Sequence, residues 1–186
     1  MKNKNLFLKA FLKNPRQVGA LNQTSTFVAK EIIDSIDFEK TRCLIELGAG
    51  MGNITRKIVK KINPDCTLLC FEIDPKLAEQ LANNIRDSRV RIISDSAENI
   101  GKYLHQLKIE KADCIISTLP LTTLPYRKMK EILKLSFQYL QSGGKYIQVQ
   151  YSLLGWRYLR MLFQKIEINF VFLNFPPAFI YICMKV

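Results

Sequence analysis

Histidine is nearly missing from this chain: His105 is the only one in 186 residues. It sits in Leu104-His105-Gln106, remote from other chemistry-bearing residues, and reads as a solvated surface side chain. No histidine cluster is available for a metal. Paired cysteine motifs are missing too. The five cysteines (Cys43, Cys66, Cys70, Cys114 and Cys183) include no C-x-x-C, and Cys66 and Cys70 lack a second ligand pair, so no zinc site is expected. An odd count inside apolar strand patterns predicts reduced, buried thiols and a cytoplasmic setting. Long apolar runs are also absent, since none reaches the roughly 18 residues of a membrane span. The opening Met1-Lys2-Asn3-Lys4-Asn5-Leu6-Phe7-Leu8 is broken by Lys9 and Lys13 with no small-residue cleavage site after it, which argues against a signal peptide. Acids are scarce: 16 Asp and Glu stand against 28 Lys and Arg, a net charge of +12. That balance predicts attraction to an anionic partner, either nucleic acid or an acidic lipid surface. With no internal repeat, low-complexity tract or linker, residues 1–186 are expected to form one domain.

What is present is an alternation. Apolar, β-branched runs at 43–47, 67–72, 89–94, 112–117 and 144–150 interleave with helical patterns near 24–36, 53–62, 75–86, 96–107 and 126–141. That order predicts a parallel sheet covered on both faces. Asp74-Pro75 suits a capped helix start, and Ser142-Gly143-Gly144 is expected to stop the fifth helix. The strand-like runs 166–173 and 178–186, joined through Asn174-Phe175-Pro176-Pro177, predict an antiparallel hairpin.

The first strand runs into Glu46-Leu47-Gly48-Ala49-Gly50-Met51-Gly52-Asn53, and the second ends on Glu72. Glycines permit a sharp turn with ligand against bare main chain, and an acid about 20 residues on is where a βαβ nucleotide site puts its ribose acceptor. Asn53 replaces the third glycine of the usual dinucleotide fingerprint. Acid-x-Gly-x-Gly-x-Gly with a strand-end acid resembles motif I and its acidic partner in class I S-adenosylmethionine-dependent methyltransferases. The resemblance implies an α/β Rossmann-like fold with a mostly parallel seven-stranded sheet and a C-terminal antiparallel hairpin. It also implies S-adenosyl-L-methionine as cofactor, bound by Glu46, Gly48, Ala49, Gly50, Gly52, Asn53, Glu72, Ile73, Asp95, Ser96 and Ser117. In it Glu46 approaches the methionine end, Glu72 takes the ribose hydroxyls and Asp95 the adenine amino group. Asp95 also has the composition of a helix cap.

The fourth strand ends Ser117-Thr118-Leu119-Pro120-Leu121, the motif IV position. Amide and adenine methyltransferases carry Asn/Asp-Pro-Pro-Tyr relatives there, whose carbonyls and side-chain amide hold a planar amino group. Here Ser117 opens the segment and Leu121 stands where an aromatic plate would stack on a base. Over nearly its whole length the chain resembles bacterial phospholipid N-methyltransferases. The resemblance is carried by Phe11–Ala20, by Ser117–Leu121 with Pro125, by Gln148-Val149-Gln150-Tyr151, and by Asn174-Phe175-Pro176-Pro177-Ala178. It departs at Leu21–Ser25 and Ser152-Leu153-Leu154, both of which bear on the head-group pocket. The resemblance implies methyl transfer to the amine of phosphatidylethanolamine or a related aminolipid. Ser117 and Tyr151 are the catalytic candidates, and Leu119, Pro120, Leu121, Tyr151, Asn174 and Tyr181 the substrate-binding ones. For both tyrosines sheet packing with a satisfied hydroxyl is the competing account.

Residues 1–22 form a basic, amphipathic helical pattern with Phe7, Ala10 and Phe11 on one stripe, and Trp156–Lys165 mixes aromatics with cations. Both suit a peripheral position on an anionic aminophospholipid membrane. The main alternative is an enzyme like the ribosomal RNA adenine N6-methyltransferases, and the other is a cofactor-binding domain without catalysis.

Overall fold

Four short apolar runs form the parallel heart of the sheet: β1 (Cys43–Leu47), β2 (Thr67–Phe71), β3 (Val90–Ile93) and β4 (Ala112–Ser117). β1, β2 and β4 are buried on both faces along nearly their whole length and read as apolar stretches, while β3 at the sheet edge leaves Arg91 exposed. The structure is a computed structural model that describes residues 25–174 and 176–186. The expected N-terminal helical segment 1–22, with the Phe11–Ala20 signature, lies outside these residues.

β5 (Leu140–Gln150) runs parallel to β4, and β6 (Lys165–Val171) and β7 (Ala178–Met184) form the expected antiparallel hairpin. The strand order β3-β2-β1-β4-β5-β7-β6 reverses direction at β1 and β4. That reversal opens a crevice beyond the carboxyl ends of these two strands, where such sheets bind ligands.

Strand residues alternate between two cores. Ile45, Leu47, Leu69 and Phe71 face α4 (Ile100–Gln106), α5 (Tyr126–Tyr139) and α6 (Trp156–Leu159). Leu44, Leu68 and Cys70 face α1 (Thr26–Asp34), α2 (Thr55–Val59) and α3 (Pro75–Asn84). Helix starts follow side-chain chemistry. The Ser25 hydroxyl accepts from the Val28 amide at 3.3 Å, and Asp74 accepts from the Lys76 amide at 2.9 Å ahead of Pro75. All five cysteines are free and buried.

The expected glycine stop for the fifth helix is corrected. α5 ends at Tyr139, where the Lys185 ammonium takes up the Phe137 and Leu140 carbonyls at 2.7 and 2.6 Å. Gly143 and Gly144 lie inside β5, paired with Lys185 of the neighbouring chain segment. A side chain at Gly144 would come within 2.9 Å of the Asp113 carbonyl, so glycine here serves strand approach, at the point where the β4–β5 register shifts. The helices expected at 53–62 and 96–107 are shorter, the latter split into a 3-10 turn, Ala97–Asn99, and α4.

Candidate active site

The glycine turn is fastened to β2 and to motif IV. The Gly48 and Ala49 amides both donate to the Phe71 carbonyl, at 2.9 and 3.0 Å. Gly48 has φ +80°, and a Cβ there would sit 3.0 Å from Thr118 Oγ1 and 3.1 Å from Leu119 Cδ2. Motif I and motif IV therefore touch across the switch point, where the positive φ and the tight contact both favour glycine. The Thr118 hydroxyl donates to the Gly48 carbonyl at 2.7 Å, sealing the contact.

Glu72 stands at the end of β2 with its carboxylate fixed from both sides. Oε2 accepts from the Gly50 amide at 2.8 Å and Oε1 from the Asp74 amide at 2.9 Å. Each oxygen retains a further lone pair. Ile73 beside it is exposed. Asp95, just past β3, accepts from Ser96 N, Asn99 Nδ2 and the Tyr103 hydroxyl at 2.7, 2.8 and 2.9 Å. The Asn99 bond first, then those from Ser96 and Tyr103, hold its carboxyl below the usual range. The helix cap is Ser96, which accepts from the Glu98 amide, so Asp95 is left aimed by its own network. Asn53 lies at the turn, with its oxygen bound by Arg56 at 2.7 Å. A cleft of about 610 Å³ lined by Arg56, Lys57, Lys60 and Arg86 lies to one side and shares only Asn53 with these residues.

Glu46 lies near the end of β1. Its carboxylate is buried, accepting from Thr55 Oγ1 at 2.7 Å and from Cys70 Sγ at 3.5 Å. Through Oε2 it braces the start of α2 beneath the turn. Burial pushes its pKa up to about 7 against the opposing pull of those hydrogen bonds.

Motif IV carries the largest surprise. Ser117 is fully buried, its hydroxyl accepting from the Leu119 amide at 3.3 Å, and the residue at the crevice is Thr118. Leu121 is buried in the core against α5, so it neither stacks nor lines a pocket. Two glutamines on one face of β5 hold the segment. Gln148 Nε2 lies 3.0 Å from both the Ser117 and Leu119 carbonyls. Gln150 Nε2 donates to Leu119 O at 2.9 Å. The Leu121 amide also donates to Leu119 O, and the Pro120 carbonyl accepts from the Thr123 and Leu124 amides. Gln148 is in turn fixed by the Tyr146 hydroxyl, which donates to Oε1 at 2.6 Å. Three carbonyls of the segment are thus committed internally.

Gln148, Gln150, Thr118 and Tyr103 are site residues that sequence reasoning left out. The signal was available: two glutamines alternate with Ile147 and Val149 in the buried half of β5, and buried amides need partners.

Tyr151 follows Gln150 and lies three residues past the Ser117–Gln148 pairing, about 10 Å farther along the strand direction, level with Thr118–Pro120. It is 39% exposed, no hydrogen bond to its hydroxyl occurs among the described residues, and burial of its ring raises its pKa. Tyr181 is corrected to a core residue: it is fully buried and its hydroxyl donates to the Ser152 carbonyl at 3.2 Å. Asn174 is likewise structural, donating to the Pro176 carbonyl at 2.5 Å within the β6–β7 turn.

Seven strands in this order, a glycine turn clasped at the switch point and acids ending β2 and following β3 define a class I S-adenosylmethionine-dependent methyltransferase. Residues 13–153 match the sequence model of the ribosomal RNA adenine dimethylase family, and the chain belongs to that family. Its methyl donor is S-adenosylmethionine. The chain is 29% identical to an ornithine lipid N-methyltransferase of Singulisphaera acidiphila, over its entire length and 98% of the relative's. It is 27% identical to ribosomal RNA small subunit methyltransferase A of Ureaplasma parvum over 76% of this chain, spanning about half (53%) of that relative. Solved structures share the fold. A precorrin-6y C5,15-methyltransferase from Geobacter metallireducens superposes with TM-score 0.70 at 13% identity, over 88% of this chain and 90% of the other. An rRNA methylase from Streptococcus thermophilus superposes with TM-score 0.63 at 13% identity, over 89% of this chain and all of the other.

Proposed function

We propose that this methyltransferase acts on the amine of an aminolipid at a membrane surface, phosphatidylethanolamine or an ornithine lipid being the nearest chemistry. The carrying observation is the internal saturation of motif IV. A planar nucleobase amine needs free carbonyl acceptors and an aromatic plate. Here the Ser117, Leu119 and Pro120 carbonyls already accept hydrogen bonds, and the plate position is the buried Leu121. An sp³ amine makes neither demand. The full-length match to a lipid N-methyltransferase supports the same reading.

In this reading Glu72 accepts the ribose hydroxyls through its free lone pairs, Asp95 addresses the adenine edge, Ile73 covers its face and the turn Gly48–Asn53 follows the donor's backbone. The donor, when bound, supplies an electrophilic methyl group. The chain's task is to present a neutral nitrogen in line with it, and alignment of this kind is worth several powers of ten in rate. An alkylammonium has a pKa of about 10, so the amine must shed its proton before attack. Tyr151 stays protonated under its raised pKa and therefore acts as an orienting partner for the amine, not as its base. The proton leaves to solvent at the open crevice.

The test is incubation with labelled S-adenosylmethionine and either phosphatidylethanolamine or ornithine-lipid vesicles, or ribosomal RNA. Label in the lipid fraction is expected. Label in unmodified ribosomal RNA with none in lipid would replace this reading by adenine methylation, the activity for which the family is named.

A further inference from the structure

Single exposed apolar side chains are ordinary, but a contiguous group at one end of a fold is not. Tyr151, Leu153, Leu154, Phe170, Phe172 and Leu173 are all exposed, Leu154 at 63% and Phe172 at 69%. The sheet register brings them together. β7 lies between β5 and β6, and Gln150 pairs with Phe179, which pairs with Phe170. Consequently the segment after β5 and the β6–β7 turn rise from the same edge, the edge that carries the glycine turn and motif IV. The Phe170 and Phe179 rings meet at 4.9 Å, and the Tyr181 hydroxyl ties Ser152 down beside them at 3.2 Å. The result is an apolar crest adjoining the crevice.

The surrounding charge has one sign. No Asp or Glu occurs at 114–130, 151–166 or 168–186. Arg127, Lys130, Arg157 and Arg160 are exposed there, and none of them has a carboxylate partner among the described residues. The Tyr126 and Tyr158 rings, 6.2 Å apart, join the two cationic segments, and Arg160 lies 5.2 Å over Trp156. Apolar side chains ringed by cations and aromatics match the interfacial zone of a bilayer with anionic lipids. A nucleic acid would use the cations and leave the crest in water.

We propose that the 153–154 and 172–173 crest is the membrane-docking surface of this protein, inserting into an anionic phospholipid bilayer so that the crevice opens at head-group level. The inference rests on the aminolipid reading for its purpose, though not for its physics. Docking there would let a lipid amine reach Tyr151 without leaving the bilayer.

Trp156 is the only tryptophan in the chain and adjoins the crest, so it reports directly. The full chain is mixed with phosphatidylglycerol–phosphatidylcholine vesicles whose acyl chains carry bromine near the head group, and Trp156 quenching gives the partition coefficient. Quenching is expected, and Phe172→Ser with Leu173→Ser should lower partitioning about tenfold, since two exposed apolar side chains lose their transfer energy. Both positions are exposed, so the melting temperature should not change. A wild type that is not quenched, or a double variant that partitions like wild type, would overturn the docking surface, as would variants that weaken only RNA binding or self-association. Turnover on a short-chain, monomeric aminolipid separates the two ideas. The double variant should keep wild-type turnover on that substrate and lose it on vesicles. If no lipid is methylated yet partitioning still depends on the crest, the substrate reading fails and the docking surface stands.

Discussion

Replacing Gln148 by Leu should destabilise the fold and loosen motif IV, and the structure gives the size. Gln148 is fully buried. Its amide serves the Ser117, Leu119 and Val149 carbonyls at 3.0, 3.0 and 2.9 Å, and its oxygen accepts from Tyr146. Leucine keeps the volume and removes every polar contact. Leu119 O retains Gln150 and the Leu121 amide, and Ser117 O retains its place in the β4–β5 ladder, so the new orphan is the Tyr146 hydroxyl. A buried orphan costs about 1–3 kcal/mol. Tyr146→Phe removes that orphan in advance, so Gln148→Leu should cost about 1–2 kcal/mol less in that background. Urea denaturation of the four proteins measures the cycle. Methyl transfer should fall in Gln148→Leu while calorimetric affinity for S-adenosylmethionine stays within a fewfold, because Glu72 and the glycine turn are untouched. Additive costs, with a coupling under about 0.5 kcal/mol, would refute the claim that Tyr146 and Gln148 act as one unit.

Three further outcomes are expected. Glu72→Ala should weaken S-adenosylmethionine binding by at least tenfold with the fold retained, since charged hydrogen bonds contribute roughly 1.5–3 kcal/mol each; unchanged calorimetric affinity would remove Glu72 from the site. Glu46 has a folded pKa raised from 4.5 to about 7, so its contribution favours the fold most below pH 4.5 and is lost as pH rises through 7. Glu46→Gln, which keeps an acceptor for Thr55, should therefore gain melting temperature relative to wild type between those limits, and a wild-type–variant difference that stays flat from pH 4.5 to 8 would contradict the burial argument. Tyr151→Phe should lower turnover on lipid well beyond any change in donor affinity, and equal losses in both would place Tyr151 at the cofactor.

The sheet was legible because its parallel strands are buried on both sides: Leu44–Leu47, Leu68–Phe71 and Ile115–Ile116 stand out as apolar runs whatever their neighbours do. The hairpin was legible from the strand-like composition of 166–173 and 178–186. The beginning of β5 was not, because Gln141-Ser142-Gly143-Gly144 has the composition of a helix stop, and its strand role depends on the approach of Asp113 from β4. The same limit applies at the site. Glycine spacing and strand-end acids are local signals, and Gly50 and Glu72 do meet. Whether Leu121 or Tyr181 faces the crevice or the core depends on which helix packs over that strand end. α5 shares the core with Leu121, a fact of tertiary packing that spacing does not encode.

Net charge does not separate a lipid substrate from an RNA substrate, because an anionic membrane and RNA are both polyanionic surfaces and a charge of +12 attracts either. Family membership does not separate them either, since the sequence model covers the donor site and motif IV together, and the donor site is common to both chemistries. The discriminating element is the small loop Thr118–Leu121. In a site for a planar amine its carbonyls must face the substrate with lone pairs free. Here Gln148 and Gln150 have turned those lone pairs inward, and each glutamine pays its own burial by doing so. A loop fastened in this way is rigid and has few acceptors to offer, which suits a flexible head group whose amine is oriented by one outside hydroxyl. In the aminolipid reading, specificity arises from hydrogen bonds made within the protein as much as from any contact offered to substrate. Freeing the loop by Gln150→Leu should reduce lipid turnover without creating activity on ribosomal RNA, because the aromatic plate is still missing at Leu121. Methylation of ribosomal RNA by that variant would show that acceptor saturation alone had been blocking the base.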